Sequence, residues 1–119
     1  MSGRPRVKLA RVYDDPASDE GARVLVDRLW PRGMRKGDPR VGRWLPEVAP
    51  SAELRRWYSH KRERFDEFAT RYAEELGSDE GADALAELRD LMRDGPVVLV
   101  TASRDLDISQ AAVLRKLLS

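Results

Sequence analysis

The chain has 119 residues, 41% hydrophobic and 36% charged, with a formal net charge of +1. That length supports one core and one domain. The absence of cysteine excludes disulfides, a cysteine nucleophile and thiolate-held metal, and the single histidine, His60, makes a zinc site a poor reading.

The near-neutral total hides an uneven charge distribution. Residues 23–43 carry Arg23, Arg28, Arg32, Arg35, Lys36, Arg40 and Arg43 against only Asp27 and Asp38. Residues 65–95 reverse the balance, with ten acids against Arg71, Arg89 and Arg93. An anionic partner would be drawn to the first segment and repelled from the second. The opening Met-Ser-Gly-Arg-Pro-Arg has no apolar run after its charges, so no signal peptide is expected. No stretch approaches the roughly 20 apolar residues of a membrane span. A cytoplasmic protein without membrane contact is the reading, and nothing in the sequence speaks to oligomeric state.

Along the chain, Val7, Leu9 and Val12 predict a first strand within 7–13. A turn cluster from Asp14 to Gly21, with Pro16 and Ser18, separates it from a second strand at 22–27. From Pro31 to Pro50 the breakers are too dense for anything regular beyond a turn or two, which predicts a long loop. Ser51 is placed to cap a short helix over 51–58. Phe65, Phe68, Ala69, Tyr72 and Leu76 form one apolar stripe on a helix over 62–76, with Gly77 at its end. Leu85, Leu88, Leu91 and Met92 mark another helix over 82–93. Val97-Val98-Leu99-Val100 does not alternate, as expected of a central parallel strand within 96–101. Asp107 and Gln110 have capping-box spacing ahead of a last helix over 108–118. The expected fold is a single α/β domain in two or three layers. Its sheet would be small and mostly parallel, with about three to four strands covered by helices.

The densest chemistry lies in Asp27-Arg28-Leu29-Trp30-Pro31-Arg32-Gly33, directly after Val24-Leu25-Val26. In an open parallel sheet the carboxyl ends of adjacent strands converge, and ligands bind there. That would bring the 27–33 loop beside the turn Thr101-Ala102-Ser103-Arg104. Arg28 and Arg32 read as an anion clamp, with Arg55 as a further cation, because guanidiniums bind carboxylate and phosphate bidentately. Their plain alternative is local ion pairing. For Trp30 the plain alternative is core filling. Thr101 and Ser103 would supply hydrogen bonds to a ligand, or simply close a strand-to-helix turn. Asp27 is the one weak candidate for a general base or orienter. His60 sits in a charge-rich link and reads as a solvated side chain. The acids at 66, 67, 74 and 75 read the same way on a helix's polar face. Neither a GxxxxGK[ST] nor a GxGxxG pattern is present, and no cofactor is expected.

The blocks Val26-Asp27-Arg28-Leu29-Trp30-Pro31-Arg32-Gly33, Trp44-Leu45-Pro46-Glu47-Val48-Ala49-Pro50-Ser51 and Leu54-Arg55-Arg56-Trp57-Tyr58 occur in that order. With them, the chain resembles the YeaO-like branch of the domain-of-unknown-function family 488. The likeness runs from Arg11-Val12-Tyr13-Asp14 to the Leu-rich C-terminus. It implies a small bacterial α/β domain and brings no established activity with it. Members commonly carry a His near the start of the last helix, in Asn-His-Ala or Cys-His-Arg contexts, where this chain has Gln110. An amide does not titrate, so Gln110 could bind and orient but could not act as a general acid or base.

Two functions follow as expectations. The first is a cleft for a phosphorylated or otherwise anionic small molecule or nucleotide, lined by Arg28, Trp30, Arg32, Arg55, Thr101, Ser103 and Gln110. The second is a nucleic-acid-binding accessory protein that uses the basic 23–43 stretch as a surface patch.

Overall fold

The structure, a computed structural model, describes residues 7–16 and 21–118. The expectations for the first six residues and for Ser18 lie outside the described residues. Four strands form one all-parallel sheet: β1 (Val7–Arg11), β2 (Ala22–Leu25), β3 (Arg43–Trp44) and β4 (Val97–Thr101), in spatial order β1-β4-β2-β3. Four helices accompany them: α1 (Ala52–Tyr58), α2 (Phe65–Glu75), α3 (Asp79–Arg93) and α4 (Gln110–Leu118). Fold class and strand direction are as the sequence predicts.

β4 is central and every one of its residues is buried. Its side chains alternate between two cores, which explains why the sequence shows no polar positions there. Val97 and Leu99 join Val24 and Val26 against the helices, packing on Leu54, Tyr58, Phe68, Tyr72, Leu88 and Leu114. Val98 and Val100 join Leu25 on the opposite face, where the core takes no helix residue among those described. There Val12, Met34 and Val41 close the sheet, with Trp30 packed against them. The breaker-rich segment is therefore the lid of the second core.

The long loop also contains a strand that was not expected. Arg43 and Trp44 pair with Val24 and Leu25, extending the sheet by one short edge. Gly42 makes this possible: its φ is +69°, and a Cβ there would stand 2.3 Å from the Arg23 carbonyl oxygen. Pro46–Val48 then forms a 3-10 turn leading into α1. Ser51 caps α1 as predicted, accepting the Leu54 N–H through Oγ. The same serine donates from its backbone N–H (2.9 Å) and its hydroxyl (2.6 Å) to Glu75. Glu75 is thus not simply solvated but ties the end of α2 to the start of α1.

The start of α4 differs from the capping-box expectation. Asp107 lies exposed within a 3-10 turn, Leu106–Ile108, and the helix begins at Gln110. Ile108 is buried and its carbonyl accepts the Tyr58 hydroxyl at 2.7 Å, which fixes the turn and delays the helix. Ser109 takes the capping place, with the Ala112 N–H 3.4 Å from its Oγ. Gln110 is left free to turn its side chain toward the sheet.

Tyr72 is fully buried, and its hydroxyl donates to the Val48 carbonyl. Burial raises this phenol well above its ordinary pKa and keeps the donor protonated. Tyr72→Phe should cost about 1–2 kcal/mol by leaving the Val48 oxygen unpaired. Chemical denaturation read by fluorescence would check this, with the midpoint falling and the slope unchanged.

Candidate ligand-binding site

β2 and β4 lie side by side and parallel, so their carboxyl ends open at the same edge of the sheet. Pairing persists one residue beyond β2, where the Val26 N–H donates to the Val100 carbonyl at 3.0 Å. Asp27 follows and turns its carboxylate across to β4. The Thr101 hydroxyl donates to Oδ1 at 2.6 Å and the Ala102 N–H donates to Oδ2 at 2.7 Å. The Gln110 amide also donates to Oδ1, and its nitrogen lies 3.2 Å from Thr101 Oγ1. One carboxylate thereby joins two strand ends to the first residue of α4. Burial pushes the Asp27 carboxyl above the usual aspartate range; its three hydrogen bonds and the Arg55 charge oppose that shift.

Above this knot lies a cleft of about 580 Å³, within the size range of small-ligand sites. Arg28, Arg32, Arg55 and Arg56 line it, and Asp27 is the one acid among its lining residues. Trp30, Ser103 and Gln110 line it too. Thr101 does not: it is fully buried, and its hydroxyl is committed to Asp27. Its place is to hold the aspartate rather than to meet a ligand. The Ser103 hydroxyl lies 3.2 Å from Thr101 Oγ1 at the edge of the same network.

The cations are held differently. Arg28 is half-buried and donates to the Ala49 carbonyl at 3.1 Å, joining the strand-end loop to the approach of α1. Arg32 is exposed, and its backbone carbonyl accepts the Tyr13 hydroxyl at 3.4 Å. Arg55 stands on α1 with a buried Nε that has no hydrogen-bond partner among the described residues. A buried donor without a partner is rare in native structures, and the Arg11 Nε, away from the cleft, is in the same state.

Trp30 reconciles its two readings. Its Nε1 donates to the Met34 carbonyl at 2.8 Å, and its ring meets Trp44 edge-on at 5.5 Å. One side of the indole packs on the second core while the residue still borders the cleft. Trp44 in turn donates to the Asp27 backbone carbonyl at 2.8 Å.

Not all of the positive charge over residues 23–43 faces the cleft. Arg40 pairs with Asp38 at 2.9 Å, and Arg43 pairs with Glu87 at 2.6 Å. Arg23 is buried and donates to the Arg40 carbonyl at 2.8 Å. Three of the seven cations are therefore engaged within the protein, and Glu87, from the acidic segment, cancels one charge of the excess. The charge facing the cleft comes instead from two loop arginines and two on α1.

Sequence reasoning missed Tyr13, Arg56, Ser59 and Phe68 on the cleft wall and placed His60 in solvent. His60 is exposed but borders the cleft. It gets there because Ser59 and His60 both take left-handed backbone (φ 48° and 55°), folding the chain back after α1. Consecutive non-glycine residues in that region are uncommon and cluster at functional sites. A Ser-His pair directly after a helix that ends without glycine was the available signal.

Comparison with known proteins agrees with the sequence resemblance. A family described as the inactive DUF488-N3 subclade matches residues 6–119. The chain belongs to that subclade. It is 58% identical over 119 residues to uncharacterized proteins of Mycobacterium tuberculosis and Mycobacterium bovis, covering 100% of this chain and 98% of each relative. It is 33% identical over 108 residues to the uncharacterized protein YeaO of Escherichia coli, covering 91% of this chain and 92% of YeaO. No solved structure matches. Among the described residues no helix is long and apolar enough to cross a membrane.

Proposed function

We propose that the cleft binds a phosphorylated or otherwise anionic small molecule, and that binding rather than chemistry is its task. The observation that carries this reading is the cleft wall itself: four arginines against one carboxylate. Guanidiniums crowded around a concave site repel one another, and an anion seated among them removes that cost.

Several features argue against catalysis at this site. Among the described residues no cleft serine hydrogen-bonds a histidine or a carboxylate, and two of their protons are spent locally. Ser59 donates to the Arg56 carbonyl at 2.8 Å, and Ser109 donates to the Leu106 carbonyl at 2.7 Å. Asp27 is held by three donors, and Gln110, which stands where the family resemblance leads one to expect His, does not titrate. The subclade's description as inactive points the same way.

Calorimetric titration with inorganic phosphate tests the proposal. Binding should be saturable at one site, and Arg28→Ala should weaken it by about tenfold or more through loss of a charge-assisted hydrogen bond. Arg32→Ala should weaken it less, because its side chain is exposed. A duplex DNA titration addresses the nucleic-acid alternative. Tight duplex binding that falls steeply with salt, together with no phosphate binding, would replace the cleft reading with a surface patch.

A further inference from the structure

Beyond its positive charge, the cleft floor carries a directional pattern of open hydrogen-bonding positions. A carboxylate offers about four acceptor sites over its two oxygens. At Asp27, Oδ1 already receives Thr101 and Gln110, whereas Oδ2 receives only the Ala102 N–H among the described residues. One acceptor position on Oδ2 remains open, on a residue that borders the cleft. The Gln110 amide nitrogen faces Asp27 and Thr101, which directs its carbonyl oxygen away from that pair. Arg55 supplies the opposite polarity: its Nε is enclosed, but it lines the cleft and its terminal guanidinium nitrogens make no hydrogen bond among the described residues. The floor therefore sets open acceptors within electrostatic reach of the Arg55 guanidinium.

The chemistry of the complementary ligand follows. Its inner end must offer an N–H to Asp27 and an acceptor to Arg55. A ligand ammonium would satisfy Asp27 but would sit among four arginines, so a neutral N–H is favoured. A charged acceptor and a charged donor reward the most polarised neutral partners, which are an amide-type N–H and a conjugated carbonyl. The walls select for flatness: Trp30, Pro31, Tyr58 and Phe68 border the cleft, with Tyr13 and Leu29 exposed beside it. Tyr13, Leu29 and Trp44 are three of the four exposed large hydrophobic residues among those described, and Trp44 lies against Trp30. Apolar exposure gathered at one cleft marks a binding surface.

We infer that the ligand is a nucleotide whose base presents a lactam edge, N–H beside C=O, to Asp27 and Arg55. Its phosphate lies among the remaining arginines. This rests on the anion-binding reading above and narrows it to a nucleotide with a guanine- or uracil-type edge.

The test uses the unmodified protein and varies the ligand. Guanosine monophosphate, its 1-methyl derivative, adenosine monophosphate, ribose 5-phosphate and inorganic phosphate are titrated in turn. Guanosine monophosphate should bind about tenfold to a hundredfold more tightly than the 1-methyl derivative, whose lactam N–H is blocked. It should exceed adenosine monophosphate and ribose 5-phosphate by a similar factor. Equal affinity for the guanine, 1-methylguanine and adenine nucleotides would mean that the ring is merely stacked, and would overturn the lactam assignment. Equal affinity for every phosphate compound would overturn the nucleotide assignment and leave the anion site standing. Failure of all five to bind would overturn both.

Discussion

Asp27→Ala should lower stability by about 2–4 kcal/mol, since it strands the Ala102 N–H and the Thr101 hydroxyl and releases Gln110. For a chain of this size the melting temperature would fall by roughly 10–15 °C. The effect is large because these contacts join elements 74, 75 and 83 residues apart in sequence. The deficit should also depend on pH. Burial raises the carboxyl's pKa in the folded state, so the folded chain holds that proton more tightly than the unfolded chain. Asp27 then contributes more stability as pH falls through the carboxylate range, and that gain is lost as pH rises. The gap between wild type and Asp27→Ala should accordingly be wider near about pH 4 than near neutrality. Denaturant melts of both proteins at the two pH values measure it. A gap that narrows on acidification would show that the three hydrogen bonds outweigh burial.

Arg55→Ala should have the opposite profile, with a large loss of binding and little loss of fold. No hydrogen bond from its Nε would be broken, because none is made within the described residues. Loss of a charge-assisted contact to a seated anion should cost about 1.5–3 kcal/mol, or roughly tenfold to a hundredfold in affinity. Arg55→Lys should recover part of this, since it restores charge without the fork geometry. Phosphate titration and a thermal melt on each variant separate the outcomes. Unchanged affinity with a sharp fall in melting temperature would make Arg55 a structural residue.

The parts of the site legible in sequence are those fixed by local pattern. Val97–Val100 reads as a central strand because an unbroken apolar run needs cover on both faces. Asp27–Gly33 reads as a strand-end loop because charge, proline and glycine interrupt such a run. β3 was not legible: two residues among glycines and prolines carry no period, and their pairing depends on the Gly42 backbone reaching Arg23. Thr101 reads from sequence as a ligand contact because its partner, Asp27, is remote in sequence. Gln110 reads as part of a capping box because the 3-10 turn at Leu106–Ile108 depends on a tyrosine from α1. Arg55 was visible as a cation, but its orphaned Nε is a property of packing alone. The charge excess over 23–43 was real in composition. It misleads about exposure, since the distant Glu87 pairs Arg43, Asp38 holds Arg40, and Arg23 is buried.

The central claim is that this strand-end cleft is where an anion binds. Amide chemical-shift mapping during a titration with inorganic phosphate tests it most directly. The account predicts saturable shifts confined to Arg28–Arg32, Arg55–His60 and Ala102–Ser103, and their loss in Arg55→Ala. Shifts centred instead on Arg35 and Lys36, or no saturable shifts at all, would contradict it.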